Sequence, residues 1–250
     1  MHKIYSLKGE GAILATLYAC PPLLGVKVAI NPGCESSNLA IKDYLVKHPD
    51  IKTVVMSAFW STYFRQGGPL AQERTGMTTA ASGMAAAQGS LRDTLQWLAQ
   101  SNREVLLIGP VPVPGKDVPL ALALNELTGH SLERSTANEQ RALHQGFFSV
   151  VKAVRPASGF QFADPISWLC ADECLWAQGG MSLYRDEHHL SIAGAMALAP
   201  QLALQLGRLD KLPEPRSALR TVKNPLHDSH PVSLTPMKQV EALKPQAPRF

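Results

Sequence analysis

The sequence is poor in aromatic residues, at 6% of its 250 positions, and modest in charge, at 18%. Its core must come from aliphatic residues and alanine, and a broad aromatic stacking surface is not indicated. No apolar run reaches the roughly 20 residues of a membrane span. The nearest stretch, Gly11 to Ile30, is broken by Cys20-Pro21-Pro22 and by Lys27. Leu17-Tyr18-Ala19-Cys20 faintly resembles a lipoprotein cleavage box, but the apolar run before it is short and Glu10 abuts it, which disfavours a signal segment. A buried strand over Ala12–Ala19 is the preferred reading. No internal repeat is present. Disorder of the whole chain is excluded by a hydrophobic content of 45%.

There is no excess of charge on the main body either. The formal net charge of +4 comes wholly from residues 211–250, which hold seven basic and three acidic residues. The first 210 residues carry 17 of each sign, which argues against a generally basic nucleic-acid-binding domain. The same forty residues contain seven of the 19 prolines. Proline fixes φ and removes a donor, so 211–250 reads as a Pro-rich, mostly disordered tail, and 1–210 as one domain with a single core.

Within that body, strand and helix signals alternate. Ser36 or Ser37 can cap a helix running to about His48, with Ile41, Tyr44 and Leu45 on one face. Thr53 to Ala58 reads as a buried parallel strand, and Arg65 to about Thr79 as a loop. A long helix to about Ser101 follows, with Leu91, Leu95 and Leu98 at helical spacing. Glu104–Ile108 is the next buried strand, stopped by Gly109-Pro110-Val111-Pro112-Val113-Pro114. Asn138 to about Val154 reads as one helix, Gly159–Phe162 as the last strand, and Ser191 onward as a final helix bent at Pro200. This order predicts a parallel sheet with helices on both faces, and places the chemistry after Ala58, Ile108 and Phe162, at the carboxyl ends of the strands.

The strongest chemical signal is Tyr184-Arg185-Asp186-Glu187-His188-His189-Leu190-Ser191. An Asp three residues before a His, at the entrance to a helix capped by Ser191, can orient an imidazole through Nδ1 and leave Nε2 to take a proton from a nucleophile. Two other readings stand beside it. The segment is a solvated, charged helix start, with Asp186 well placed near the N-terminus. Or Asp186, His188 and His189 hold a metal, although adjacent histidines seldom converge on one ion and no fourth ligand is obvious. The four cysteines fall in two near pairs, Cys20 with Cys34 and Cys170 with Cys174; three connectivities are open, and the wide first pair does not suit a zinc hairpin.

The Asp186–His189 block resembles the last block of the SGNH hydrolase superfamily, and more narrowly the periplasmic SGNH domain fused to acyltransferase-3 membrane proteins that O-acetylate bacterial surface polysaccharide. Four further segments carry the resemblance, in order: Cys20-Pro21-Pro22-Leu23; the strand Val54 to Ala58 leading to Trp60 and Tyr63; Ile108-Gly109-Pro110-Val111-Pro112; and Cys170 with Cys174 ahead of Tyr184. The resemblance runs from about residue 12 to 205. It implies a three-layer α/β/α, flavodoxin-like fold with a parallel sheet, two local disulfides and a periplasmic location. It implies His189 as general base and acid, and Asp186 as its orienting carboxylate. Trp60, Tyr184, Gly109 and Pro110 would line the pocket. The implied partners are an acyl donor, a carbohydrate acceptor and an acyltransferase-3 membrane domain, with no nucleic acid and with neither metal nor organic cofactor.

One departure from the family pattern bears directly on function. The family's nucleophile lies in a Gly-Asp-Ser-His turn after the first strand, and the sequence has no Gly-Asp-Ser. Gly33-Cys34-Glu35-Ser36 occupies the place of the second cysteine, and Ser61 lies in the Trp-x-x-Tyr region, so neither substitutes. The first strand-helix unit is expected to be missing, as in a truncated product or a mis-called start. Two functions follow as expectations: an acyltransferase or esterase domain without its serine block, or a non-catalytic glycan-binding or scaffold module.

Overall fold

In the computed structural model, the described residues are 3–7, 10–65, 67–72, 81–129, 131–158 and 160–207. The Pro-rich tail expected at 211–250 lies outside them. In chain order the elements are β1 (Lys3–Leu7), β2 (Glu10–Leu14), β3 (Lys27–Val28), α1 (Cys34–Lys47), β4 (Thr53–Met56), α2 (Trp60–Tyr63), β5 (Leu70–Gln72), β6 (Ala81–Ser82), α3 (Met84–Gln100), β7 (Glu104–Ile108), α4 (Val118–Thr128), α5 (Ala137–Leu143), α6 (Gln145–Ser158), β8 (Gln161–Ala163), α7 (Pro165–Leu169), β9 (Ala177–Gln178), β10 (Met181–Ser182) and α8 (Ile192–Gln205).

The central sheet is parallel, in the order β4-β7-β8. Its strands are the three expected from the apolar runs, and β7 and β8 are each followed by a proline-containing break, Gly109-Pro110 and Asp164-Pro165. Val54, Met56, Val105 and Leu107 face a layer made by α1, α3 and α6, where they join one apolar core with Leu91, Leu95, Leu98, Phe147 and Val151. The pleat turns Val55 and its register partner Leu106 to the opposite face, where Leu106 and the last turn of α8 border the same cleft. The result is the α/β architecture with helices on both sheet faces. A three-stranded antiparallel sheet, β3-β5-β6, is added at one side; strands of two or three residues carry too little periodicity to be read from sequence.

Three expectations change. The run Ala12–Ala19 is not a buried strand: β2 ends at Leu14, pairs antiparallel with β1, and residues 12–18 are exposed. The helix expected from Asn138 is two, α5 and α6, parted at His144, and Leu143 points outward. The strand at Thr53–Ala58 ends at Met56 and lies on the edge of the sheet, with Val55 exposed. Continuous hydrophobicity suggested a strand covered on both faces, and this one is covered on one.

Buried polar groups fix the joints. Arg103 donates from its guanidinium to the carbonyls of Leu45 and Ile51, tying the end of α1 and the approach to β4 to the start of β7. Asn38 donates to the Pro21 and Leu23 carbonyls, at 2.8 and 2.9 Å. Both cysteine pairs are disulfides, Cys20–Cys34 and Cys170–Cys174. Replacing Cys20 and Cys34 together by serine opens a cross-link spanning 14 residues and is expected to cost about 3 kcal/mol by loss of the constraint on the unfolded chain. Replacing the Cys170–Cys174 pair, separated by four, should cost about 2 kcal/mol on the same account. Thermal melts of the two double variants give the order.

Candidate acid-base site

The site is built on the turn between β10 and α8. Ser191 caps α8: its Oγ accepts from the Gly194 N–H at 3.1 Å and donates to the Ser182 carbonyl at 2.7 Å. The Ser191 N–H donates to the Leu183 carbonyl at 2.9 Å. Gly194 is required here, since a Cβ on it would lie 2.0 Å from the Leu183 carbonyl oxygen. Tyr184 bridges to Leu190, and the Arg185 N–H donates to the His189 carbonyl at 3.0 Å, so the chain from 185 to 189 closes into a small loop.

That loop holds one carboxylate in an acceptor role on both oxygens. Asp186 Oδ1 accepts the backbone N–H of His188 at 2.9 Å and of His189 at 2.7 Å, while Oδ2 lies 2.8 Å from His189 Nδ1. The backbone donors of His188 and then His189, with the His189 side chain, hold the Asp186 carboxyl well below the usual carboxylate range. An ionised Asp186 makes Nδ1 the protonated nitrogen of a neutral His189 ring, and Nε2 the acceptor. His189 is 52% exposed and Asp186 28%, so the pair is reachable from solvent. The donor atoms of Asp186, His188 and His189 lie within 4.8 Å of one another and could in principle serve a cation. The carboxylate oxygens and Nδ1 already satisfy each other and the backbone, which favours the hydrogen-bonded pair. Among the described residues, no hydroxyl or thiol hydrogen-bonds to His189.

The other expected site residues are placed as follows. Gly109 and Pro110 form the turn that ends β7; the Gly109 N–H donates to the Ala163 carbonyl at 2.9 Å. A Cβ at 109 would meet the Phe162 ring at 2.9 Å, so the glycine serves close approach to β8. Tyr184 and Trp60, expected to line the pocket, are both fully buried. The Tyr184 hydroxyl donates to the Pro112 carbonyl at 2.9 Å, which ties the acid-base loop to the Pro-rich turn, and burial pushes its phenol above the ordinary tyrosine range. Trp60 donates from Nε1 to the Ile108 carbonyl at 2.7 Å and stacks on Phe147. Both act as struts, because an apolar ring with one polar handle is best satisfied inside when that handle finds a carbonyl. The aromatic that does present a face is Phe59, 44% exposed and stacked on His188 with ring centroids 5.1 Å apart. Its place immediately before Trp60 is the only sequence signal that could have pointed to it.

Two residues beneath the Pro-rich turn escaped the sequence reading. Gln140 brackets Val113, accepting its N–H at 2.8 Å and donating to its carbonyl at 2.9 Å. His144 is 1% exposed; neither ring nitrogen makes a hydrogen bond of normal geometry, although the Val111 backbone lies close enough to act on the ring. Burial pushes its pKa down to about 4, against a smaller upward pull from the Val111 backbone. The unfolded chain protonates this imidazole near 6.5, the folded chain only near 4, so the folded state is favoured fully above 6.5 and loses stability as pH falls towards 4. The expected loss is about 2 to 3 kcal/mol. Denaturant titrations at pH 7.5 and 4.5 should show it in the wild type and a smaller difference in His144→Leu; equal pH dependence in the two proteins would refute this role.

Comparison with known proteins bears on the family and the fold. The family model described as the SGNH domain fused to AT3 domains matches residues 3–204. No curated protein is similar in sequence. Among solved structures, the fold is similar to the periplasmic domain of the lipopolysaccharide acetyltransferase of Salmonella ser. Paratyphi A, with a TM-score of 0.53 at 15% identity, covering 75% of this chain and 69% of that one.

Proposed function

Because the chain belongs to the family of SGNH domains fused to AT3 domains, we propose that it supplies the acid-base half of an O-acyltransferase or acyl esterase acting on acetyl groups of bacterial cell-surface polysaccharide, on the periplasmic side of the inner membrane and together with an acyltransferase-3 membrane domain. The observation that carries the reading is the 2.8 Å contact of His189 Nδ1 with a carboxylate whose other oxygen is held by two backbone N–H groups.

The chemistry follows from that pair. A serine hydroxyl attacks the acyl carbonyl carbon and gives its proton to His189 Nε2. The imidazolium so formed faces the ionised Asp186. When the donor C–O bond breaks, Nε2 returns the proton to the leaving oxygen, and the acyl group rests on the serine as an ester. A sugar hydroxyl or water then gives its proton to Nε2 and takes the acyl group, restoring the serine. Asp186 orients the ring and stabilises its charged form without itself taking the proton. The serine belongs to the Gly-Asp-Ser-His turn that the 250 residues do not contain, so this chain performs its part of the reaction only with that turn supplied.

The exposed imidazole, with no hydroxyl bonded to it among the described residues, also favours a second reading, a glycan-binding or scaffold module that retains the site without turnover. One experiment separates the two. Acetylated and deacetylated surface polysaccharides are titrated into the chain and into His189→Ala. Loss of a preference for the acetylated form in the variant supports the acyl-handling reading. Binding that ignores both acetylation and His189 supports the scaffold.

A further inference from the structure

Helix α6 opens with two aromatic rings that part company. Phe147 is fully buried in the core, whereas Phe148 stays half-buried, its ring edge-on to Phe162 of β8 with centroids 6.3 Å apart. Phe148, Val151, Lys152 and Arg155 recur at steps of three and four and share one face of α6. Together with Phe162 they line an open cavity of about 350 Å³, at the lower end of the about 300–1,000 Å³ typical of ligand sites. Val151 is its buried member, and Lys152 and Arg155 are its exposed ones.

The positive charge at this cavity has no local answer. From residue 142 to residue 163 the sequence holds Lys152 and Arg155 and neither Asp nor Glu. Among the described residues neither cation forms a salt bridge. The nearest carboxylate in sequence, Asp164, is already taken: its Oδ2 lies 2.6 Å from the Arg141 guanidinium, which itself sits over the Phe148 ring at 5.3 Å. Exposed cations on a helix are ordinary. Two of them bordering a cavity whose other walls are two phenylalanines and a valine are not, because the first 210 residues balance in charge. The cavity also adjoins the sheet's carboxyl end. The Phe162 ring lies so close to the turn ending β7 that a Cβ on Gly109 would meet it at 2.9 Å.

We propose that this cavity binds one acidic sugar unit of a polysaccharide, its carbon-bound hydrogens against Phe162 and Phe148 and its carboxylate between Lys152 and Arg155. A pyranose has an apolar C–H face for the rings and a hydroxyl rim that stays in water, which suits an open cavity. A guanidinium matches a carboxylate in two parallel hydrogen bonds. A single-stranded nucleic acid fits less well, since it needs rings that offer successive stacking faces, and here the rings stand edge-on with Arg141 over one of them. The inference rests on the polysaccharide part of the proposed function, which it narrows to an anionic polysaccharide. Its test does not involve the acyl chemistry. The probes, added to the full chain, are the trimer of galacturonic acid, the same trimer with its carboxyls methyl-esterified, inorganic phosphate and a short oligothymidylate of equal charge. Binding is followed by titration calorimetry and amide chemical shifts.

Saturable binding of the acidic trimer is expected, with shifts centred on α6 and β8, and about tenfold or more weaker binding of its methyl ester. Lys152→Glu and Arg155→Glu should each weaken the trimer by about tenfold or more without altering the melting of the free chain, since both side chains are exposed. Lys47→Glu makes the same charge change at an exposed position of α1 and should leave binding as it is. The trimer carries no acetyl group, so its binding reports on the cavity alone, and failure of the acyl-handling reading would leave that result standing. No saturable binding, or binding that ignores esterification, would overturn the proposal while leaving the Asp186–His189 pair untouched. Equal losses in Lys47→Glu and Lys152→Glu would assign the binding to overall charge and overturn it too. So would phosphate or the oligothymidylate binding as tightly as the trimer.

Discussion

Gly194→Ala should destabilise the protein by about 4 kcal/mol, among the larger single-residue effects, although in an exposed helix the same change normally stabilises by about 1 kcal/mol. The sign is reversed by the 2.0 Å approach of an added Cβ to the Leu183 carbonyl oxygen. That oxygen also accepts the Ser191 N–H, so it cannot retreat without opening the helix cap. Either the first turn of α8 tilts away or residues 183 and 184 move, and the second choice breaks the Tyr184–Pro112 tie. Melting should fall by roughly 8–16 °C. Ala195→Gly, one residue on and exposed, is the control and should cost no more than about 1 kcal/mol. Equal effects of the two changes would show that the Leu183–Gly194 contact does not organise the turn.

On the proposed acyl-handling function, with a serine nucleophile supplied, Asp186→Asn should lower acyl turnover by about 10⁴-fold while leaving the fold intact. The carboxylate does two things here: it accepts two backbone N–H groups that close the loop, and it accepts Nδ1–H of His189. The amide oxygen of asparagine can keep the backbone bonds. Its NH₂ group then faces Nδ1, which reverses the tautomer and places the proton on Nε2, where it blocks removal of the serine proton. His189→Ala should be at least as severe, and the double variant no worse than His189→Ala, because the two residues act as one unit. Additive losses would separate their roles. Since the Asp186 carboxyl is held below the ordinary range, its contribution to the pair is present above about pH 4 and is lost only as pH falls through that depressed value.

The parts of this molecule that were legible in the sequence share a cause. The strands at 104–108 and 161–163 and the helix from Met84 bury one face against a common core, and burial writes a strong pattern. The Asp186–His189 spacing was legible because both partners come from a single turn. Trp60 and Tyr184 were expected to line a pocket and are instead buried, because their polar handles reach carbonyls at Ile108 and Pro112, far away in sequence. Leu143 and Phe147 are four residues apart, the spacing of one helical face. The break at His144 has no proline or glycine before it to announce it, and Gly146 next to it approaches the Phe64 carbonyl too closely for any side chain. The exposed side of β4 was hidden because an edge strand can have the same apolar composition as a strand flanked on both sides.

The acid-base role of the Asp186–His189 pair turns on the protonation geometry of one ring. Nitrogen-15 spectra of the histidine side chains at pH 8, assigned with His189→Ala, report which nitrogen of His189 carries the proton. A proton fixed on Nδ1 and a bare Nε2 are expected in the wild type, with that preference lost in Asp186→Asn. A His189 ring protonated at Nε2, or one that exchanges freely between tautomers in both proteins, would contradict it.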